Sequence, residues 1–114
     1  ARLLALKGAD VIAHPSNLVM PHCPQAMITR SLENRIYAVT ADRIGNESRV
    51  PNEFLHFIGQ SQVVDPDGNI LIRASETDEE VQIVDIDIDK ARTKLLNSAN
   101  DIFKDRRPDL YEKQ

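Results

Sequence analysis

The side chains with the clearest chemical potential are one cysteine, Cys23, and three histidines, His14, His22 and His56. A cysteine is a nucleophile only as a thiolate with a base within hydrogen-bond reach. His22 is adjacent in sequence, but neighbouring side chains usually point apart, and Pro24 removes a backbone N–H that could stabilise an oxyanion. A lone cysteine more often packs than reacts. The sequence therefore favours a packing role for Cys23 over an independent cysteine hydrolase.

The sequence predicts no metal site and no cofactor. The three histidines lack the i, i+4 pairing of a helical zinc site. Asp85, Asp87 and Asp89 alternate with apolar residues, which is typical of a solvated strand face. The segment from Asp65 to Asn69 lacks the further ligands of a calcium loop, so we interpret it as a turn.

The first part of the chain predicts an alternation of helices and strands. Residues 1–7 resemble the end of an amphipathic helix already under way, and Gly8 is a plausible stop. Residues 9–14 form an apolar run typical of a buried strand. A helix is expected over residues 24–34, with Pro24 in its first turn, and a β-prone central strand over 37–41. This alternation is typical of an α/β protein.

The later chain predicts mostly strands and turns. Residues 44–52 are interpreted as an exposed loop, and 61–64 and 70–72 as the strands of a hairpin. Residues 81–89 form the clearest predicted strand because apolar residues alternate with aspartates. A short helix is expected over 90–96, with the preceding aspartate as its N-cap. The result is a mixed sheet with helices on one face, whose other face must also be covered.

Composition excludes several classes of function. The chain has 114 residues, enough for one small domain, and a formal net charge of −4. An acidic balance argues against a nucleic-acid partner, and the one basic pair, Arg106-Arg107, lies between Asp105 and Asp109. A single cysteine permits no intrachain disulfide, and no apolar run approaches the roughly 20 residues that span a bilayer. We therefore expect a cytoplasmic protein with no membrane partner.

Four segments carry recognisable motifs. They are the Gly-Ala-Asp strand and loop at 8–17, the Arg-x-x-Glu-Asn helix end at 30–37, the Gly-x-Ser and Asp-Pro-x-Gly hairpin at 57–71, and the Arg-Arg-Pro tail at 100–111. In this order, over nearly the whole chain, they resemble the C-terminal half of the nitrilase superfamily of carbon–nitrogen hydrolases. Within that superfamily the likeness is greatest to archaeal nitrilase-like hydrolases.

This resemblance implies an α/β fold that is half of an αββα four-layer sandwich. It also implies a Glu–Lys–Cys catalytic set that cleaves nitrile or amide C–N bonds without a cofactor. The Cys thiolate attacks the substrate carbon, the Glu is the general base, and the Lys stabilises the developing charge. The resemblance places all three residues upstream of Ala1, so we expect this chain by itself to be inactive. Cys23 lies in the wrong segment to replace the nucleophile.

Two positions in this sequence correspond to the pocket of the superfamily. Ser16, Asn17 and Leu18 occupy the loop that lines the pocket, where the Asn17 amide could hydrogen-bond to substrate or orient the thiol. The alternative is that Asn17 only caps a turn. Ser61 lies where the superfamily's hairpin approaches the rim of the site. A structural role for Ser61, as a strand hydroxyl bonded to backbone, is favoured.

Two further residues, Arg30 and Glu33, are expected to support the site together with Ser61. Arg30 and Glu33 are three positions apart on one helix face and can form a buried ion pair that supports the site. Glu33 is not assigned a catalytic role because the superfamily's second pocket Glu lies upstream of the nucleophile. Asp42 stands where many members carry Asn before Arg-x-Gly.

The resemblance also implies partners. We expect residues 1–96 to form the C-terminal half of a hydrolase domain and residues 97–114 to form a tail that docks on a partner subunit. The expected assembly is a homodimer or higher oligomer with a small nitrile or amide as substrate, and the missing N-terminal half as a further partner. The competing hypothesis is a non-catalytic interaction module or a proteolytic fragment. Such a piece exposes the apolar sheet face meant for the missing half.

Overall fold

The computed structural model describes residues 1–111, which form short helices and strands around one mixed sheet. In chain order the elements are α1 (Arg2–Leu6), β1 (Val11–Ser16), α2 (His22–Asn34), β2 (Tyr37–Asp42), β3 (Ile44–Glu47), β4 (Leu55–Ile58), β5 (Gln62–Val64), β6 (Ile70–Arg73), α3 (Ile88–Arg92), β7 (Leu95–Asn97), β8 (Asn100–Asp101) and α4 (Pro108–Tyr111).

The main sheet has the strand order β1-β2-β5-β6. β1 and β2 are parallel, with α2 as the connection between them, whereas β5 pairs antiparallel with both β2 and β6. The predicted α/β alternation and the predicted hairpin are therefore confirmed. The Asp65 carboxylate closes the hairpin turn by accepting hydrogen bonds from the backbone N–H groups of Asp67 and Asn69, at 2.9 and 2.8 Å.

Helix α2 covers one face of this sheet. Ala38 and Val64 are fully buried beneath it, and the buried Gln62 side chain donates to the carbonyl of Pro24 at 2.9 Å. On the opposite face, Val39 lies between its register partners Ala13 and Val63 and is 37% exposed. We call this second surface the open sheet face, because Val39 and its register partner Ala13 are exposed there.

The predicted strand over residues 81–89 is wrong. Residues 81–87 have no regular secondary structure, and Val81 and Ile83 are 91% and 88% exposed. Apolar alternation favours a strand only where a neighbouring strand satisfies the backbone groups. No strand of residues 1–111 pairs with this segment. Helix α3 begins at Ile88, and its N-cap is Asp87, whose side chain accepts from the N–H of Asp89 at 3.0 Å.

Other predicted boundaries also differ. The buried strand predicted over 9–14 is β1, which runs over Val11–Ser16, and none of its residues is buried. The expected loop over 44–52 begins as β3, which pairs antiparallel with β4, so only the residues between these strands form the loop. The expected helix over 90–96 ends at Arg92. The ammonium of Lys94 donates to the carbonyls of Arg35 and Ala91 at 2.7 and 2.6 Å, and thereby caps both helix ends. The chain then turns into β7.

An ion-pair network joins the end of α2, the β5–β6 turn and α3. Lys90 lies 2.6 Å from Asp65 and 2.7 Å from Asp67, and Arg35 pairs with Asp67 from the other side. Arg35 is the left-handed C-cap of α2, with φ of 50°, and its Nε also donates to the carbonyl of Thr93 at 3.2 Å. These long-range contacts hold three otherwise separate elements in one position.

The described residues form a thin slab. Their extents are 54 × 39 × 18 Å, and the radius of gyration is 16.9 Å. A compact domain of this length is expected to have a radius of about 13 Å. One sheet with helices on a single face accounts for both the small thickness and the large radius.

Candidate functional site

The site candidates lie together at the C-terminal edge of the two parallel strands. Ser16 ends β1 and Asp42 ends β2, and the two residues are register partners. Asn17 and Leu18 follow Ser16 directly. In open α/β sheets, ligands bind outside the carboxyl ends of parallel strands, because loops from several strands meet there. The structure thus brings the predicted pocket residues to the carboxyl ends of β1 and β2.

The turn formed by residues 16–18, which we call the pocket turn, is held by hydrogen bonds at its first and last residues, Ser16 and Leu18. The N–H of Arg43 donates to the carbonyl of Ser16 at 3.2 Å. The N–H of Leu18 donates to the Asp42 carboxylate at 2.8 Å, and the Leu18 carbonyl accepts from the N–H of Ile58 at 3.0 Å. Strands β2 and β4 therefore fix the course of the pocket turn.

Asp42 is itself held by Ser61. The N–H of Asp42 donates to the Ser61 hydroxyl at 2.9 Å, and this hydroxyl contacts the Asp42 carbonyl at 3.3 Å. One oxygen of the Asp42 carboxylate serves the pocket turn, whereas the other, Oδ2, is buried without a hydrogen-bond partner among the described residues. The Ser61 hydroxyl thus bonds to the backbone of Asp42, in line with the structural role that the sequence favours for it.

Asn17 is exposed and lines an open cavity of about 460 Å³ beside β3 and β4. The opposite wall contains Phe57, whose ring lies 4.3 Å below the guanidinium of Arg43. Arg43 also pairs with Glu47 at 2.6 Å. An amide that faces such a cavity can donate and accept hydrogen bonds, so the position of Asn17 suits contact with a small polar ligand.

Neither His14 nor His56 forms a catalytic pair with Cys23. His14 hydrogen-bonds through Nδ1 to the Thr40 hydroxyl at 3.2 Å, and His56 bonds to Asn46 at 2.7 Å. Cys23 lies in the first turn of α2 and is partly exposed. Because His14 and His56 are engaged elsewhere, the geometry offers no support for a thiol activated by either of them.

Arg30 and Glu33 do form the expected ion pair, at 2.5 Å. Their side chains are 52% and 34% exposed, so the expectation of a buried pair is wrong. Both residues lie on the outer surface of α2, where helix geometry places i and i+3 together without burial. The hydrogen bond from Arg30 lowers the pKa of the Glu33 carboxyl below its usual range.

Residues 1–111 contain no group of three or more His, Cys, Asp or Glu side chains that could hold a metal ion. Over the same residues, no helix combines the length and the apolar character needed to cross a membrane.

Comparison with known proteins identifies the family. The family model described as carbon-nitrogen hydrolase matches residues 1–94 of the chain. The chain belongs to the carbon–nitrogen hydrolase family. A nitrilase of Pyrococcus abyssi is 56% identical over 111 residues, which are 97% of this chain and 40% of that protein. An N-carbamoylputrescine amidase of Solanum tuberosum is 29% identical over 125 residues, covering 98% of this chain and 41% of that protein.

A solved structure supports the fold of this carbon–nitrogen hydrolase chain. The carbon-nitrogen hydrolase of Helicobacter pylori G27 superimposes with a TM-score of 0.75 over 97% of this chain and 42% of that one, at 23% identity. The predicted half sandwich is thereby confirmed. The chain spans about 40% of the length of the relatives described above.

Two features of this candidate site escape sequence reasoning. One is the role of β4, since residues 54–58 give no clear helix or strand period, yet Ile58 binds the pocket turn. The other is the contact from Asp42 to Leu18, which crosses 24 positions of sequence. The only sequence signal for this contact is the aspartate at position 42, where many members of the family carry asparagine. That signal marks the position but does not indicate that Leu18 is its hydrogen-bond partner.

Proposed function

We propose that this chain is the C-terminal half of a hydrolase that cleaves the C–N bond of a small nitrile or amide through a cysteine thioester. Membership of the carbon–nitrogen hydrolase family over residues 1–94 carries the proposal. The chain covers about 40% of the length of its relatives. In this proposal the catalytic Glu, Lys and Cys belong to a segment that precedes this chain, and this half supplies part of the pocket.

In the proposed reaction on an amide, the thiolate forms a bond to the carbonyl carbon and the C–N bond breaks as the nitrogen leaves protonated. Water activated by the Glu then attacks the thioester, which releases the acid and restores the thiol. Ser16, Asn17 and Leu18 bind the substrate at the pocket turn. The Asn17 amide hydrogen-bonds to a polar group of the substrate and fixes its orientation.

The open sheet face supports a second part of the proposal, which is that a missing N-terminal half packs against it. Val39 is 37% exposed in a central strand, and Val81, which lines the same surface cavity, is 91% exposed. An apolar sheet face needs a covering layer, because its exposure to water is unfavourable. A second sheet with its own helices provides this cover and completes the four layers.

Assembly and location remain part of the same proposal. We propose a cytoplasmic homodimer in which α2 and residues 97–114 lie near the two-fold axis. Leu110 and Tyr111 are exposed large apolar residues, which suits docking on a partner subunit. Residues 112–114, the end of this predicted tail, lie outside the described residues.

The first test is the intact mass and N-terminal sequence of the purified protein, followed by a screen for ammonia release from short amides and nitriles. A mass well above 12.8 kDa, with activity against at least one such substrate, is the expected result. A protein of 12.8 kDa that binds a hydrophobic dye instead supports the second candidate, a non-catalytic interaction module or fragment. The exposed Val81 and Ile83 are the observation that favours this candidate.

The proposed role of Asn17 is tested by Asn17→Ala in the intact protein. The loss of one substrate hydrogen bond is expected to lower kcat/KM by about tenfold, which corresponds to about 1.4 kcal/mol of transition-state stabilisation. Lys7→Ala, which truncates an exposed polar side chain outside both the pocket turn and α2, is the control and should leave kcat/KM unchanged. An Asn17→Ala variant with wild-type kinetics would remove Asn17 from the proposed site.

A further inference from the structure

We propose that Asp42 is the positioning residue of the pocket turn, and that it acts as a hydrogen-bond acceptor and not as a charge. The inference rests on the proposed function, because it concerns the same substrate pocket. The Asp42 carboxylate accepts the N–H of Leu18 at 2.8 Å, and Leu18 directly follows Asn17. Asp42 thus reaches the substrate only through the backbone of the pocket turn.

The backbone around Asp42 is held in place by hydrogen bonds and by strand pairing. The N–H of Asp42 donates to Ser61, and the neighbouring Arg43 binds the Ser16 carbonyl. Asp42 and Ser16 are also register partners at the ends of β2 and β1. The backbone of Asp42 is therefore fixed at the edge of the sheet. Its side chain in turn fixes Leu18, the residue that follows Asn17.

The second carboxylate oxygen shows which property of Asp42 matters. Oδ2 is buried and has no hydrogen-bond partner among the described residues. A buried carboxylate oxygen without a partner is costly, so the negative charge is a disadvantage at this position unless something outside this chain neutralises it. Asparagine has the same shape and retains one acceptor oxygen, and the neutral amide group that replaces Oδ2 is less costly to bury than a charged oxygen. An acceptor role therefore predicts that Asn replaces Asp42 without loss.

The remaining hydrogen bonds of the pocket turn limit the effect of losing Asp42. The Ser16 carbonyl and the Leu18 carbonyl keep their partners, Arg43 and Ile58. Removal of the carboxylate then frees only the Leu18 N–H and the peptide between Asn17 and Leu18. We expect the Asn17 side chain to lose its orientation while the sheet stays folded.

The test compares Asp42→Ala and Asp42→Asn in the intact protein, with Asp85→Ala as the control because Asp85 is an exposed aspartate outside the site. Asp42→Ala is expected to raise KM and lower kcat/KM by about tenfold, the effect of one lost hydrogen bond. Asp42→Asn should stay within about twofold of wild type, with an unchanged or higher Tm. In parallel, amide hydrogen exchange at Leu18 should accelerate at least tenfold in Asp42→Ala and not in Asp42→Asn.

Two results would overturn the inference. One is an equal loss of activity in Asp42→Asn and Asp42→Ala, which would make the charge the essential property. The other is unchanged Leu18 exchange in Asp42→Ala, which would show that Asp42 does not hold the pocket turn. A wild-type protein without any nitrile or amide hydrolysis would contradict the proposed function alone. The exchange experiment would still decide the role of Asp42.

Discussion

At the scale of single residues, Asp65 is the most consequential charged group outside the pocket. Its side chain is 5% exposed and bonds to Lys90 and to two backbone N–H groups of its own turn. Burial raises the pKa of this carboxyl, but the hydrogen bonds from Lys90 and Asn69 outweigh burial, and the pKa lies below its usual range. The folded state therefore favours the ionised form of Asp65.

This shift predicts an acid-sensitive stability. A carboxyl whose pKa is lower in the folded state stabilises the protein above its unfolded pKa of about 4, and that contribution is lost as pH falls through the folded value. Asp65→Asn should lower the free energy of unfolding at pH 7 by about 1–3 kcal/mol, because the charge-assisted bond to Lys90 is removed. Between pH 5 and pH 3, the variant should lose less stability than wild type in urea titrations.

The matched control for this prediction is Asp109→Asn. Asp109 also has a lowered pKa, caused by Arg107, but both partners are exposed. Exposed ion pairs contribute little to stability, so this variant should stay within about 0.5 kcal/mol of wild type. Equal losses for the two variants would contradict the importance assigned to the buried network.

A second prediction at this scale concerns Cys23. Because His14 and His56 bond to other residues, Cys23→Ala in the intact protein should retain at least half of wild-type kcat/KM. Iodoacetamide should still inactivate this variant, since the proposed nucleophile lies upstream. Loss of more than 99% of the activity would instead identify Cys23 as the nucleophile.

At the scale of elements, Gly59 decides how the chain leaves β4. Gly59 has φ of +59°, and an added Cβ would lie 2.8 Å from both the Glu76 carbonyl and the Ile44 side chain. Its N–H also binds the carbonyl of Arg43 at 3.1 Å. Only glycine allows this close approach of three segments without strain.

We therefore predict that Gly59→Ala destabilises the protein by about 2–4 kcal/mol, through both backbone strain and steric contact. Gly45→Ala is the control, since Gly45 also has a positive φ, of +86°, but no atom within 4 Å of an added Cβ. This control should cost only about 1 kcal/mol. Urea unfolding of both variants measures the difference, and similar values would contradict the close packing around Gly59.

At the scale of the whole molecule, the open sheet face distinguishes a half from a complete fold. Val39→Asp should destabilise the intact protein by at least about 3 kcal/mol if a second sheet covers this face, because an unpaired charge would be buried. Val50→Asp is the control, since Val50 is 46% exposed in the β3–β4 loop. Comparable, small effects of both substitutions would show that the face stays open to solvent.

Local periodicity and turn chemistry predicted much of this structure. The first helix, β1, α2, β2 and the β5–β6 hairpin follow from short-range patterns, because each has its apolar residues or turn residues within a few positions. The strand predicted over residues 81–89 is absent because it depends on a long-range partner. Their alternation describes a strand whose partner is absent from residues 1–111, and an unpaired strand has no hydrogen bonds to hold it.

The sequence by itself determined the family and the mixed α/β architecture, and it predicted that Ser16, Asn17 and Leu18 line the pocket. It could not determine that Asp42 holds Leu18, that Ser61 holds Asp42, or that β4 closes the turn. It also placed the Arg30–Glu33 pair in the interior, whereas that pair lies at the surface. These facts depend on contacts between distant segments. Only the tertiary structure brings these partners together. Sequence periodicity indicates which face of an element is apolar, but it does not indicate which residues pack against that face.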